Sequence, residues 1–239
     1  MIGLGTLINA GAVISGGLLG LLLNKGLPER FQKIIMQAQG LAVIFIGVSG
    51  ALKEMFKVQH YQLETIGIMM MVVSLTLGAV FGELLNIEDR TEQFGAWLKH
   101  KVHNDKDNQF VDGFVISSLT ICIGAMAVVG PLQDGISGDF SMLATKAVID
   151  GVILIIFAAS YGIGALFSVI PLVLFQGSIT LLSRLIEPVL TPAAVSNLSL
   201  VGSTLILCVG LNIMFHTKIR VANLLPALFF AALAGIFLH

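Results

Sequence analysis

Lys146 and Asp150 stand four residues apart in an apolar stretch, which on a helix places a base and an acid on one face. Ionisable groups inside a membrane span cost about 2.5–3.5 kcal/mol on insertion scales and tend to face a bundle interior or an aqueous path. Two chemistries fit the pair. Asp150 binds a cation or proton on a translocation path, with Lys146 as an internal competitor, or the two form a satisfied ion pair that fixes their helix. A second set is neutral: the amides Asn9, Gln37, Gln39, Gln176, Asn212 and Asn223 lie in or beside apolar runs. Amides at interrupted helices bind solutes at the midplane of many transporters. Hydrogen bonding between helices is the plain structural alternative. Asn223 stands three residues before Pro226, whose ring removes a backbone bond and can open the helix there.

Other groups carry weaker signals. The segment 130–139 holds Pro131, Asp134, Gly135, Gly138 and Asp139 with no basic residue, and it reads as an extracellular acidic loop. Its oxygens would suit a hard cation, but the spacing matches no calcium loop, and Asp-Gly and Gly-Asp are ordinary turn chemistry. Whether a metal binds stays open. Glu83 and Asp112 are expected at helix ends that reach water. Cys122 and Met126 at i, i+4 read as core side chains before a soft-metal pair. The chain has no His-Glu-x-x-His, Gly-x-Ser-x-Gly, phosphate-loop or dinucleotide motif, so catalysis is disfavoured and no cofactor is expected.

The elements that must position these residues follow from composition. Of 239 residues, 56% are hydrophobic and 11% charged, against about 25% charged in a soluble domain. A soluble globule is excluded, and the class is an all-α polytopic transmembrane bundle. With 13 basic and 14 acidic residues there is no basic face for nucleic acid. A span needs about 20 mostly apolar residues. Eight runs qualify, at 3–24, 34–55, 65–86, 111–131, 143–163, 165–186, 196–216 and 221–238, with the long stretch 143–186 split near Gly162 and Gly164. The first run lacks a basic leader and a small-residue cleavage site, so it is expected to be retained.

Basic residues collect in cytoplasmic loops. With both termini outside, nine fall on the inner side (Lys25, Arg30, Lys33, Arg90, Lys99, Lys101, Lys106, Lys218 and Arg220) and four on the outer. The connection 87–110, with Phe94, Trp97 and Leu98 among charges, reads as a cytoplasmic amphipathic helix at the membrane surface or as a solvated linker helix.

The chain also shows a candidate repeat. Leu27-Pro28 through Gly40 to Gly47 compares with Thr191-Pro192 through Gly202 to Gly210, each a proline, a polar segment and an apolar helix with two glycines. If the first three spans, in 1–86, recur as the last three, in 165–239, the offset is five, and an odd offset inverts the second copy. Residues 87–110 are then a connector and 111–163 an inserted pair. Chance similarity between two Gly/Leu-rich helices explains the same match.

Several motifs occur together: Gly5-Thr6-Leu7-Ile8-Asn9, Met36-Gln37-x-x-Gly40-Leu41, Gly82-Glu83-Leu84-Leu85-x-Ile87-Glu88, Cys122-x-Gly124-Ala125-Met126-Ala127, Gln133-Asp134-Gly135-x-x-Gly138-Asp139, Lys146-x-x-x-Asp150-Gly151 and Asn223-Leu224-Leu225-Pro226-Ala227. In this combination, over nearly the whole chain, the sequence resembles the bacterial YqgA/YdfK-like membrane family, a domain of unknown function. The resemblance implies a multi-pass protein of the bacterial inner membrane and carries over no substrate. The functional expectation is a transporter of a small solute or ion, with Asn9, Gln37, Gln39, Lys146, Asp150, Gln176 and Asn223 as its polar pathway. A channel or oligomeric pore and a non-transporting scaffold or sensor are the alternatives. The expected partners are the lipid bilayer and the solute, with a homo-oligomer left open.

Overall fold

Apolar runs of 18 or more residues in this chain become helices, because a helix satisfies its own backbone where no water can. The computed structural model describes residues 2–24, 28–59, 62–102, 104, 108–123, 125–187 and 190–237. The elements are α1 (Leu4–Asn24), α2 (Glu29–Met55), β1 (Phe56–Gln59), β2 (Gln62–Thr65), α3 (Ile68–Leu85), α4 (Ile87–Lys101), α5 (Phe110–Cys122), α6 (Ala125–Ser137), α7 (Ser141–Tyr161), α8 (Ile163–Leu166), α9 (Val169–Ile186), α10 (Pro192–Phe215), α11 (Val221–Leu224) and α12 (Pro226–Phe237). Among the described residues six helical stretches are long and apolar enough to cross a membrane. A seventh arises if α5 and α6, bent by 59° with respect to each other, make one broken span. The eighth expected run is shorter: Val221–Phe237 is apolar but falls below spanning length.

Punctuation follows local chemistry. Gly162, at φ 74°, ends α7 in a conformation that other residues rarely adopt, and it divides the long apolar stretch where its glycines suggested. Pro192 opens α10 at its first turn, and the Thr191 hydroxyl accepts from Ala194 N at 3.1 Å as the cap. The all-α expectation holds apart from one feature: the short strands β1 and β2 pair antiparallel, with Phe56 opposite Thr65 and Gln59 opposite Gln62.

The chain forms two compact units. The first takes residues 1–39, 89–122 and 126–187. Helices with lipid on their other side gain little from hydrophobic exclusion and associate by close packing. Accordingly α1 lies on α7 through small residues. A Cβ on Gly16 would run into the Gly151 carbonyl, and one on Gly20 into that of Ile155. Phe110, Phe114, Leu143, Leu154, Phe157 and Leu172 are among the largest apolar side chains buried in this unit. Helix α4 lays Gly95 against Phe114, and Phe94 stacks on Trp97 at 5.6 Å. Trp97 is exposed, with the Lys101 ammonium 4.9 Å from its ring centre.

The second unit takes residues 40–88, 123–125 and 188–239. In it the later part of α2 packs on α10 around Gly47, whose Cβ position lies against Leu207. Helix α3 packs on α11 and α12 at Gly82 and Gly78, where backbone meets backbone at Asn223 and Ala227. Its core is Val201, Ala227 and Ala231.

One expected loop is a helix. Residues through Ser137 of the segment read as an outer acidic loop belong to α6, and Asp134 is 0% exposed. Tertiary packing overrides the turn preference of Gly and Pro here. Gly135 lets α9 approach so closely that a Cβ would strike Ser183 and the Thr180 carbonyl, and the Thr180 hydroxyl donates to Pro131 O at 3.2 Å. Only 138–140 lie between α6 and α7. Asp139 remains exposed and turns back to accept from the Ser141 hydroxyl at 2.6 Å and its N–H at 3.0 Å. Those two bonds, the hydroxyl's first, hold its carboxyl below the ordinary carboxylate range.

Candidate functional site: a buried polar group among helices α1, α7 and α9

The buried face of α1 repeats at helical spacing through Gly5, Asn9, Val13, Gly16 and Gly20. Asn9 is the polar member of that stripe beside Thr6. On α7 the inward face runs Leu143, Lys146, Asp150 and Leu154, and on α9 it runs Leu172, Gln176, Thr180 and Ser183. Because glycines bring α1 hard against α7, a short amide on α1 reaches a carboxylate on α7 without a long side chain between them.

Four of the residues expected on a polar pathway meet there. Asn9 and Gln176 are 0% exposed, Asp150 2% and Lys146 6%. Asn9 Nδ2 donates to Asp150 Oδ2 at 3.0 Å and to Gln176 Oε1 at 3.3 Å. Lys146 Nζ donates to Asp150 Oδ2 at 2.5 Å and to the Ile121 carbonyl at 2.8 Å. Ile121 is in the last turn of α5, where carbonyls lack an intrahelical donor and carry the negative end of the helix dipole. The ammonium is therefore compensated twice, by a carboxylate one turn away and by the end of a neighbouring helix.

The amides are only half used. Asn9 Oδ1 and Gln176 Nε2 are buried and have no hydrogen-bond partner among the described residues, an acceptor and a donor on two amides already in contact. Buried polar atoms are nearly always paired, and leaving one unpaired costs about 1–3 kcal/mol. Ser117 Oγ, one turn before Ile121 on α5, and Thr6 Oγ1 on α1 are unpartnered in the same way. Asp134, on α6, is a second buried carboxylate of this unit. Its Oδ2 accepts from Gly5 N at 3.0 Å, while Oδ1 has no partner among the described residues.

The remaining expected residues are placed elsewhere. Gln39 is buried and Gln37 exposed on α2, and among the described residues neither shares a hydrogen bond with the Asp150 group. Asn223 belongs to the second unit, in a network with every amide function used. Its Nδ2 donates to Glu83 Oε2 at 2.6 Å, and its Oδ1 accepts from Glu88 N at 2.7 Å. Arg220 pairs with Glu83 at 2.7 Å, and Ala222 N donates to Glu88 Oε2 at 2.7 Å. This is the chemistry of a clamp that pins the short α11 to the end of α3. Asn212 likewise holds the turn after α10, donating to Ile219 O and accepting from Ile219 N and the Thr217 hydroxyl. One contributor escaped sequence reasoning, the Ile121 carbonyl, and so did the buried hydroxyls of Ser117 and Thr6 on the flanking turns. Thr6 was findable as i−3 to Asn9. The Ile121 carbonyl depends on the ending of α5 at Cys122, inside a run that reads as one continuous span.

An array of apolar helices that seals an ion pair and two amides in its interior is the mark of an all-α, multi-pass membrane protein. The chain belongs to the family described as Protein of unknown function (DUF554), which matches residues 4–236. Relatives include the uncharacterized membrane protein YdfK of Bacillus subtilis (strain 168), 29% identical over 224 residues that cover 94% of this chain and 92% of that one. The uncharacterized protein YqgA of Escherichia coli (strain K12) is 32% identical over 232 residues, covering 95% and 94%. No solved structure matches the chain.

Proposed function

We propose that the protein is a secondary carrier for a small solute or ion, with Asn9, Lys146, Asp150 and Gln176 as the binding group. The observation that supports this reading is the unpaired acceptor on Asn9 and unpaired donor on Gln176 beside a buried ion pair. A purely structural ion pair gains nothing from two half-satisfied amides, whereas a site that must receive a solute keeps such groups for it. Lys146 then acts as a tethered counter-ion that holds Asp150 while the site is empty. An incoming group competes for the carboxylate, and the ammonium keeps the Ile121 carbonyl as its second acceptor. On this reading the chain is not an enzyme. It lies in the bacterial cytoplasmic membrane with both termini outside, an arrangement that follows the nine-to-four distribution of basic residues and requires the short apolar run Val221–Phe237 to cross as well.

The test is flux. Purified protein in liposomes, screened against cations, amines and amino acids, is expected to give saturable uptake that Asp150→Asn abolishes while the variant still purifies as a folded species. Unsaturable flux would mean a pore, and silence across the whole screen would leave the carrier reading without support.

A further inference from the structure

The charges of the binding group can be matched against the solute that would complete it. Inside it stand one ammonium, Lys146, and one carboxylate, Asp150, so the group is neutral as a whole. Both side chains are more than nine-tenths buried. A solute with net charge would bring an uncompensated charge into a sealed, apolar surrounding, which is strongly unfavourable unless a partner changes protonation. A solute with no charge would leave the Lys146–Asp150 pair intact and use only the amides. The unpaired atoms add direction. Asn9 Oδ1 is an acceptor on the residue that donates to Asp150, and Gln176 Nε2 is a donor on the neighbouring amide. The vacant functions are therefore one for a donor and one for an acceptor, in a group that already offers one negative and one positive centre.

We infer that the solute is a small zwitterion of the amino-acid class, its ammonium taken by Asp150 and the Asn9 carbonyl and its carboxylate by Lys146 and the Gln176 amide. The inference rests on the carrier reading above. Its recognition replaces one internal ion pair by two, so the charge of the buried group is the same before and after binding.

The experiment uses the full chain in liposomes with three matched probes: alanine, ethylamine, which lacks the carboxylate, and propionate, which lacks the ammonium. Alanine is expected to be taken up saturably, with ethylamine and propionate weaker as competitors by at least about tenfold each, since each forfeits hydrogen bonds to a charged group. Asn9→Ala and Gln176→Ala, checked for folding by size-exclusion profile and melting temperature, are expected to raise the alanine KM. Calorimetric titration of alanine into wild-type protein in nanodiscs reads binding without any variant. Saturable uptake of ethylamine or propionate equal to that of alanine would overturn the zwitterion inference and leave a carrier. Saturable uptake of an unrelated solute with alanine inert would do the same. No saturable uptake of any probe or screened solute would overturn both.

Discussion

Asn9 Nδ2 stands 3.0 Å from Asp150 Oδ2, a hydrogen bond across 141 positions of the chain between two side chains that are both sealed from solvent. It ties the first helix to the seventh at the same carboxylate oxygen that Lys146 holds. Removing one charge of such a group strands the other. Lys146→Met is expected to destabilise the protein by about 3–5 kcal/mol, because Asp150 keeps one amide partner in place of an ammonium. The double variant Lys146→Met/Asp150→Leu should recover much of that loss, as apolar pairs often replace buried ion pairs at little cost. Unfolding in detergent by a double-mutant cycle measures both. Additive losses would show that the two charges do not depend on each other.

Close packing of α1 on α7 makes a second, independent expectation. Gly16 and Gly11 lie on the same helix, but a Cβ at Gly16 meets the Gly151 carbonyl while a Cβ at Gly11 meets nothing within 4 Å. Gly16→Ala is expected to lower the melting temperature and Gly11→Ala to leave it unchanged or raise it slightly, since Ala favours a helix over Gly by about 0.5–1 kcal/mol. A thermal melt of the two single variants decides it, and equal behaviour would contradict the packing.

Much of this arrangement was readable from residue types. Lys146 and Asp150 at i, i+4 declared a shared face, and polar groups are so costly in apolar spans that Asn9 and Gln176 stood out by chemical type alone. Their convergence is a tertiary fact, set by glycine contacts between helices far apart in sequence. The reading of 130–139 as a loop failed for a related reason. Local turn preference in Pro131 and Gly135 is weak beside the packing of α6 against α9, and the same Gly135 that suggests a turn is what permits the approach. Asn223 was misleading because a lone amide carries no sign of its partners. Glu83 and Glu88 are 140 and 135 positions away and already satisfy it. The pairing of β1 with β2 has no strong turn dipeptide in the sequence to announce it.

Asp139 gives a dependence on pH. Its carboxyl is held below the ordinary carboxylate range by the Ser141 hydroxyl and N–H, so the folded state prefers the charged form. A depressed carboxyl contributes stability above the unfolded value of about 3.9, lost as pH falls through the lower folded value. Melting curves of wild type and Asp139→Ala should differ at neutral pH and draw together in strong acid. A gap that widens on acidification would reverse the sign and refute the assignment.

Orientation is testable without knowing a substrate. The basic residues predict the C-terminus on the outer face and the connection 87–110 on the inner. Alkaline phosphatase fused after residue 239 is expected to be active and a green fluorescent protein at the same place dark, with the opposite pattern for fusions truncated after Asn104. Matching signals at the two positions would mean an even number of spans between them and would exclude the proposed topology, which needs an odd number.

Asn223 separates a structural amide from the proposed binding amides. In its network the side chain donates to Glu83 and accepts from the Glu88 N–H, so Asn223→Ala leaves a carboxylate oxygen and a backbone donor without that partner. The expected loss is about 1–3 kcal/mol of stability. Asn223→Asp keeps the acceptor for Glu88 N but sets a second carboxylate against Glu83, so it should be worse than alanine. Neither change touches Asn9, Lys146, Asp150 or Gln176, so the fraction of Asn223→Ala that folds should transport with the wild-type KM. Asn9→Ala should show the opposite pattern, a raised KM with a smaller loss of stability. If Asn223→Ala instead shifted KM at unchanged melting temperature, this amide would belong to the solute path after all, and the clamp would not be its main role.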